Sequence, residues 1–227
     1  MKVTLVKKIK ETKNSFSFIF KPEKEISWKP GQCIFYKIPH ENPDERGTTR
    51  HFSISTAPFE KNIMLTSKFD FKKGSSFKRA LFALKEGETV EAFSLRGDFV
   101  TKNFKKKLVF IAGGIGITPC RSILLDLEYK RKNPEVILLY GNKDRDIIFK
   151  DTLDKLANDH EWLNIYYIIE PQLIDSNIIR ENVKDLYNCF YYISGPLIMV
   201  QIMKEILLKM NIESKNIIED YFPGYSD

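Results

Sequence analysis

The motif Gly113-Gly114-Ile115-Gly116-Ile117-Thr118-Pro119 predicts the architecture of the second half of the chain. It follows the apolar run 108–112 and precedes an amphipathic segment that begins near Arg121. This is the order of a buried parallel strand, a tight turn and a helix. Glycines let a backbone approach a ligand closely, and a helix N-terminus offers free N–H donors to a pyrophosphate. Glycines in such a turn also have a purely steric explanation.

A second motif, Arg50-His51-Phe52-Ser53-Ile54-Ser55-Thr56, joins a cation, an aromatic ring and three hydroxyl groups on a predicted strand. The period of two residues places Arg50, Phe52, Ile54 and Thr56 on one face of that strand. His51, Ser53 and Ser55 then lie on the other face. An edge or a bulge would bring both sets to one ligand, so we interpret the whole motif as a binding segment.

Together the two motifs resemble the ferredoxin-NADP reductase superfamily of flavin-dependent oxidoreductases. In that family an Arg-x-Tyr/Phe-Ser-x-x-Ser/Thr strand holds the flavin, and a Gly-Gly-x-Gly-x-Thr-Pro turn holds the nicotinamide dinucleotide. Further matches extend the resemblance over essentially the whole chain, in its short form without an iron–sulfur domain. They are Pro30-Gly31-Gln32, Tyr140-Gly141-Asn142, Ser194-Gly195-Pro196 and Phe222-Pro223-Gly224-Tyr225.

The hydrophobic pattern divides the chain into two predicted domains. Short alternating segments predict a small antiparallel β-barrel with one helix at 76–84. Its strands are expected at 3–9, 15–20, 33–38, 51–55, 63–69 and 89–93. After the polar connector 101–107, strands alternate with helices, which predicts a parallel sheet with helices on both sides. These strands are expected at 108–112, 135–140, 163–169 and 189–193, and the helices at 118–131, 149–158, 178–185 and 196–209. The resemblance implies that residues 1–102 form an FAD-binding barrel domain and that residues 103–227 form an NAD(P)-binding α/β domain.

The resemblance implies flavin-binding roles in the barrel. The Arg50 guanidinium matches a diphosphate in shape and charge. Phe52 would stack on the flavin, and Ser53 would point at flavin N5 and tune that atom. His51 and Thr56 belong to the same cofactor-binding strand. The turn at Gly74, Ser75 and Ser76 would contact the diphosphate of FAD, which favours FAD over FMN, although simple N-capping of the helix explains this turn nearly as well.

The second domain carries the residues expected to bind NADPH or NADH. Gly114 and Gly116 would line the pyrophosphate beside Thr118 and Pro119. Lys143 and Arg145 are candidates for a 2′-phosphate and favour NADPH slightly, but their loop also carries acids, so the choice stays open. The turn Ser194, Gly195 and Pro196 would approach the nicotinamide. Phe222 would cover the second face of the flavin or, alternatively, anchor the tail in the core. Ser53 and Phe222 are the predicted catalytic residues.

Composition excludes several other classes of protein. The net charge is +6, but the 36 basic residues are interspersed with 30 acidic ones, which argues against nucleic-acid binding. A basic rim would instead steer an acidic electron-carrier protein. Cys33, Cys120 and Cys189 form no Cys-x-x-Cys pair, so neither a metal site nor a disulfide framework is indicated. Without a long apolar run or a signal sequence, the expected location is cytoplasmic.

These features predict hydride transfer from NAD(P)H to FAD and then electron transfer to a separate acceptor such as ferredoxin or flavodoxin. Two alternatives remain open: an electron-transfer subunit of a larger oxidoreductase complex, and a nucleotide-binding module without redox activity. The electron-transfer subunit of dihydroorotate dehydrogenase ends in a cysteine-rich cluster segment, and no cysteine follows Cys189 here. That version of a subunit is therefore disfavoured.

Overall fold

The first half of the chain forms an antiparallel barrel in the computed structural model, which describes residues 1–222. The strands follow the order β4-β3-β6-β1-β2-β5, and a bridge from Ile54 to Leu65 joins the two edges. Their bounds are β1 (Lys2–Lys10), β2 (Ser15–Pro22), β3 (Cys33–Lys37), β4 (Thr49–Ser53), β5 (Ile63–Lys68) and β6 (Thr89–Arg96). Helix α1 (Ser76–Ala83) adds Phe77 and Leu81 to the barrel core.

The second half forms a parallel sheet of five strands with the order β11-β10-β7-β8-β9. The strands are β7 (Lys107–Gly113), β8 (Val136–Asn142), β9 (Leu163–Ile169), β10 (Cys189–Pro196) and β11 (Ile217–Phe222). The central strand β7 is buried from Leu108 to Gly113, which explains its continuous apolar run. The chain moves from β7 to β8 on one side and reaches β10 on the other. Ligands bind such sheets at the crevice outside the carboxyl ends of the strands.

Helices cover both faces of the parallel sheet, as the sequence predicts. They are α2 (Ile117–Tyr129), α3 (Lys150–Asp159), α4 (Ser176–Asn182) and α5 (Leu197–Lys209). Leu124 of α2 and Leu153 of α3 pack into one core, whereas Ile179 of α4 and Leu207 of α5 pack into the other. The predicted fold class is confirmed. Within residues 1–222, no helix is long and apolar enough to span a bilayer, and no group of side chains has the makeup of a metal site.

Several elements differ from the sequence prediction. Strand β4 covers Thr49–Ser53 instead of 51–55, so Ile54, Ser55 and Thr56 follow the strand, and β6 extends to Arg96 instead of residue 93. Strand β11 was not predicted, because its six residues acquire strand geometry by pairing with β10 rather than through a local pattern. Helix α4 ends at Asn182, three residues before the predicted end. The proposed domain boundary at residues 102 and 103 stays a prediction; it falls between the last barrel strand and the start of β7.

Candidate active site

Two cavities lie where the barrel meets the carboxyl ends of the parallel strands. The first, about 60 Å³, is lined from both halves of the chain, and seven of the predicted site residues face it. They are Arg50, His51, Phe52, Ser53, Ser75, Thr118 and Phe222. The second is a cleft of about 640 Å³, lined by Gly114, Lys143 and Pro196 among others. Ile115 lines both, so the two cavities adjoin at the predicted nucleotide turn.

Arg50, which lines the first cavity, forms an ion pair with Asp44. Arg50 Nη2 lies 2.8 Å from Asp44 Oδ1, and the Ser76 backbone N–H donates to Asp44 Oδ2 at 2.9 Å. Arg50 Nη1 donates to the carbonyl oxygens of Gly47 and Thr49 at 3.0 and 2.8 Å. The two groups that the sequence analysis assigns to a diphosphate therefore converge on one carboxylate. These donors hold one anionic group, and a phosphate is a group of the same charge sign that such donors can bind.

Phe52 and Ser53 contribute an aromatic ring and a hydroxyl group to the lining of the first cavity. Phe52 stacks on Phe77 with ring centroids 5.9 Å apart. Ser53 is buried, and its Oγ donates a hydrogen bond to Asp220 Oδ2 at 3.1 Å. Burial raises the pKa of Asp220 from the usual 3.8 to about 6, although the Ser53 hydrogen bond lowers it. A half-buried carboxyl group whose pKa is raised above the usual value for aspartate therefore lies beside Ser53.

Sequence reasoning did not select Asp220. Strand β11 pairs with β10 in parallel and carries Asp220 next to Ser194, from where its carboxylate reaches Ser53 of the barrel. A single acidic residue in an aromatic segment gives no local signal for such a contact. The neighbouring Phe222 does line the first cavity, and it also packs against the core of the parallel sheet. Both interpretations of Phe222 are thus compatible with its position. Pro223, Gly224 and Tyr225 lie outside the described residues.

The glycines of the nucleotide turn have different surroundings. Gly114 has a φ of +51°, and a Cβ placed on it would meet no atom within 4 Å, so its backbone faces the open cleft. A Cβ on Gly116 would lie 2.1 Å from the Ser194 carbonyl oxygen. Gly116 lines neither cavity, and close packing against β10 is sufficient reason for glycine at this position. Thr118 Oγ1 donates to the Ile115 carbonyl at 3.1 Å and holds the turn at the start of α2, next to the buried Pro119.

Seven further predicted residues line neither cavity: Thr56, Gly74, Ser76, Pro119, Arg145, Ser194 and Gly195. Thr56 Oγ1 donates to the Asn62 carbonyl at 2.8 Å and accepts from the Met64 N–H at 3.1 Å, so it stabilises its own turn. Gly74 N–H donates to the Asp70 carbonyl at 2.7 Å. Ser194 is fully buried, and its hydroxyl has no hydrogen-bond partner within residues 1–222.

Three residues of the predicted site also have structural contacts that explain them. Ser75 caps α1 by accepting the Lys78 N–H at 3.3 Å, as the capping alternative expects, and it also lines the first cavity. Ser76 Oγ accepts the Asp44 N–H at 2.9 Å. A Cβ on Gly195 would lie 2.9 Å from Met199 Sδ and 3.4 Å from the Gly113 nitrogen, so close packing between β10, β7 and α5 favours glycine there.

The antiparallel barrel followed by a parallel sheet of five strands is the fold of the ferredoxin-NADP reductase type. Residues 110–205 match the family described as "Oxidoreductase NAD-binding domain". This match covers the nucleotide turn, the cleft loops and most of α5. The predicted resemblance to the ferredoxin-NADP reductase superfamily is thereby confirmed.

Solved structures share the fold over nearly the whole chain. The flavohem-like FAD/NAD binding domain of nitric oxide dioxygenase from Vibrio cholerae has a TM-score of 0.85 at 21% identity, covering 97% of this chain and 98% of that one. Ferredoxin-NADP+ reductase from Plasmodium falciparum has a TM-score of 0.82 at 20% identity, covering 97% and 95%. These neighbours include the barrel, which the family match does not reach.

Among curated sequences, one subunit of the Na(+)-translocating NADH-quinone reductase of Psychrobacter cryohalolentis is 26% identical over 204 residues. The alignment covers 77% of this chain and 49% of the relative. The chain thus spans about half the length of the curated relatives that it matches.

Proposed function

We propose that this chain transfers a hydride from a pyridine nucleotide to FAD and passes the electrons to a separate acceptor. One observation carries the proposal: Ile115, in the nucleotide turn, lines both the first cavity and the large cleft of the sheet domain. Ligands in two adjoining cavities can bring their reacting atoms into contact. Hydride transfer requires such proximity and orientation rather than a general base.

The barrel cavity offers the groups that FAD requires. Arg50 and the Ser76 N–H would hold the diphosphate, as they now hold the Asp44 carboxylate. Phe52 and Phe222 would enclose the flavin ring, and Ser53 would hydrogen-bond near its reactive edge. When bound, FAD accepts the two electrons and one proton of the hydride that leaves C4 of the nucleotide, and releases the electrons one or two at a time.

In the cleft, Glu170 is the group that favours NADH over NADPH. Glu170 lines the cleft with Asp144 and Asp146, and so do Lys13, Lys68 and Lys143; Lys13 Nζ is paired with Asp144 Oδ2 at 2.6 Å. A 2′-hydroxyl can donate a hydrogen bond to Glu170, whereas a 2′-phosphate beside this carboxylate would be repelled. Arg145, one of the two cations that favoured NADPH in the sequence, does not line the cleft.

The nucleotide preference can be tested with Glu170→Lys. We expect the native protein to have the higher kcat/KM with NADH, and the variant to shift the ratio at least about tenfold toward NADPH. Glu161→Gln, at an exposed acid outside both cavities, is the matched control. A native preference for NADPH would overturn the assignment.

The central experiment is an absorbance spectrum of the purified protein, followed by anaerobic addition of NADH. A flavin spectrum that bleaches on addition supports the proposal, and chromatography of the released cofactor distinguishes FAD from FMN. Protein that neither contains flavin nor takes up added FAD would instead support a nucleotide-binding module without redox activity.

The acceptor is proposed to be an acidic carrier protein, in keeping with the net charge of +6. Reduction of such a carrier should slow as salt rises, because screening weakens electrostatic steering. The match to a subunit of a multisubunit reductase supports the alternative of a module within a larger complex. Stable co-purification with a larger partner would favour the module within a complex. Salt-dependent reduction of a free carrier would favour a separate acidic carrier protein as the acceptor.

A further inference from the structure

Arg121 of α2 reaches across to the barrel. Its Nη1 donates to the Ser55 carbonyl at 2.7 Å, and its two terminal nitrogens face the two carboxylate oxygens of Glu60 at 3.1 and 3.2 Å. The pair is bidentate, the geometry that a guanidinium favours with a carboxylate. One side chain of the sheet domain therefore holds both ends of the barrel segment 55–60.

Two other contacts join the same elements. Ser122 Oγ donates to the Thr56 carbonyl at 2.7 Å. Phe59 stacks on Tyr129 with ring centroids 4.4 Å apart and planes 9° apart. Segment 55–60 is thus attached along α2 from its first turn to its last residue.

The Arg121 contact is more rigid than an ordinary surface ion pair. The side chains of Arg121 and Glu60 are only 12% and 24% exposed, whereas exposed pairs contribute little. Glu60 also accepts the Ala57 N–H at 2.7 Å, which fixes its carboxylate. The guanidinium lies 5.2 Å from the Phe149 ring centroid, which fixes its plane. Neighbouring groups therefore restrain both side chains of the ion pair independently of each other.

The position of this contact relates it to both cavities. Ser55 comes two residues after β4, the strand that carries Arg50 and Ser53. Arg121 comes five residues after Gly116, in the helix that the nucleotide turn opens. The ion pair therefore joins the helix that follows the nucleotide turn to the segment that follows the cavity-lining strand β4.

We propose that Arg121 is a positioning residue, which fixes the nucleotide-binding turn against the barrel strand and so sets the separation of the two bound cofactors. This inference rests on the proposed function. Hydride transfer requires reacting atoms about 3–3.5 Å apart, and a misplacement of about 1 Å can cost about 100-fold in rate. Loss of Arg121 should therefore slow transfer far more than it weakens the binding of either cofactor.

The test compares Arg121→Met and the milder Arg121→Lys and Glu60→Gln with native protein in anaerobic stopped-flow reduction by NADH. The matched control is Lys130→Met, which removes a more exposed ion pair with Asp126 on the same helix. We expect Arg121→Met to lower the limiting rate of reduction at least tenfold, with flavin content unchanged and the KM for NADH within about threefold of native. Arg121→Lys and Glu60→Gln should fall between Arg121→Met and native, and Lys130→Met should match native.

A second measurement needs no cofactor. In the apoprotein, amide hydrogen exchange over residues 55–60 should accelerate in Arg121→Met and stay native in Lys130→Met. If the native protein bleaches with NADH and Arg121→Met bleaches at the same limiting rate, the positioning role is wrong. The positioning role is also wrong if the rate of reduction in Arg121→Met falls only in proportion to its loss of bound flavin. If the native protein does not bleach at all, the proposed function itself fails, and the exchange experiment still reports on the contact.

Discussion

Ser53 and Asp220 meet across the junction of the two halves of the chain, with Ser53 Oγ donating to Asp220 Oδ2 at 3.1 Å. The carboxyl group belongs to the parallel sheet and the hydroxyl to the barrel strand that carries Arg50. A carboxylate withdrawn from water is costly unless it is hydrogen-bonded, and partial burial of Asp220 raises its pKa to about 6. The contact therefore links the charge state of one domain to the predicted flavin strand of the other.

The raised pKa of Asp220 gives a prediction for stability against pH. The folded state binds the proton more tightly than the unfolded chain, so the free energy of unfolding falls as pH rises from about 4 to about 6 and is level above that. A shift from 3.8 to about 6 corresponds to a loss of ~3 kcal/mol, as an upper bound. Asp220→Asn has no ionisable group at this position, so its stability lacks this contribution to the pH dependence. In urea unfolding of the apoprotein, we expect the stability of native protein relative to this variant to decline between pH 4 and pH 7.

The exposed Asp98→Asn provides the control for Asp220→Asn and should follow the native curve. A native-minus-Asp220→Asn difference that is independent of pH would contradict the raised pKa. In the loaded enzyme, we expect the pH profile of flavin reduction to have an inflection near pH 6 in native protein and none there in Asp220→Asn.

Arg50→Ala should weaken flavin retention. Hydrogen bonds to a charged group contribute about 1.5–3 kcal/mol, so the Kd for flavin should rise about 10- to 150-fold. Arg50→Lys keeps the positive charge but loses the bidentate geometry of the guanidinium. Its Kd for flavin should therefore lie between those of native protein and Arg50→Ala. Equilibrium titration of apoprotein with FAD measures the effect, with the exposed Arg180→Ala on α4 as control. Purification of Arg50→Ala with full flavin content would contradict the diphosphate role.

Asp44 should compete with the flavin for Arg50. Its carboxylate occupies both Arg50 and the Ser76 N–H, and the cavity of about 60 Å³ is smaller than the ~300–1,000 Å³ of typical ligand pockets. A diphosphate must displace it. We expect Asp44→Asn to lower the Kd for FAD at least threefold and to speed association, measured by stopped-flow quenching of flavin fluorescence. The neighbouring Glu45→Gln should leave both unchanged. Weaker binding in Asp44→Asn would mean that Asp44 orients Arg50 instead.

The sequence predicts those parts of the site that are local along the chain. The strand, turn and helix around Gly114 follow from glycines between an apolar run and an amphipathic segment. Residues that meet through long-range pairing were not predictable in this way. Asp220 reaches Ser53 only because β11 adds to the sheet beside β10, and Asp44 reaches Arg50 through a loop without a pattern of its own. Thr56, which fits the strand motif, lies beyond the end of β4 and bonds within its own turn.

The two motif glycines should respond differently to alanine. In Gly116→Ala the new Cβ would lie 2.1 Å from the Ser194 carbonyl oxygen, a clash with backbone that cannot move away easily. We expect a loss of more than about 3 kcal/mol, which lowers the Tm by roughly 6–12 °C. Gly114→Ala meets no atom within 4 Å and is penalised only through its φ of +51°, by about 1–2 kcal/mol.

Nucleotide binding should separate the same two variants. Gly114 faces the cleft, so its Cβ would intrude where the pyrophosphate approaches, and the Kd for NADH should rise at least tenfold in Gly114→Ala while flavin content stays native. Gly87→Ala, at another glycine with positive φ and open surroundings, controls for backbone strain alone. Calorimetric titration measures the Kd for NADH of each variant, and thermal unfolding measures its Tm. Together they distinguish a binding role from a packing role. A Gly116→Ala protein of native Tm with weakened NADH binding would restore Gly116 to the nucleotide site and remove its packing role.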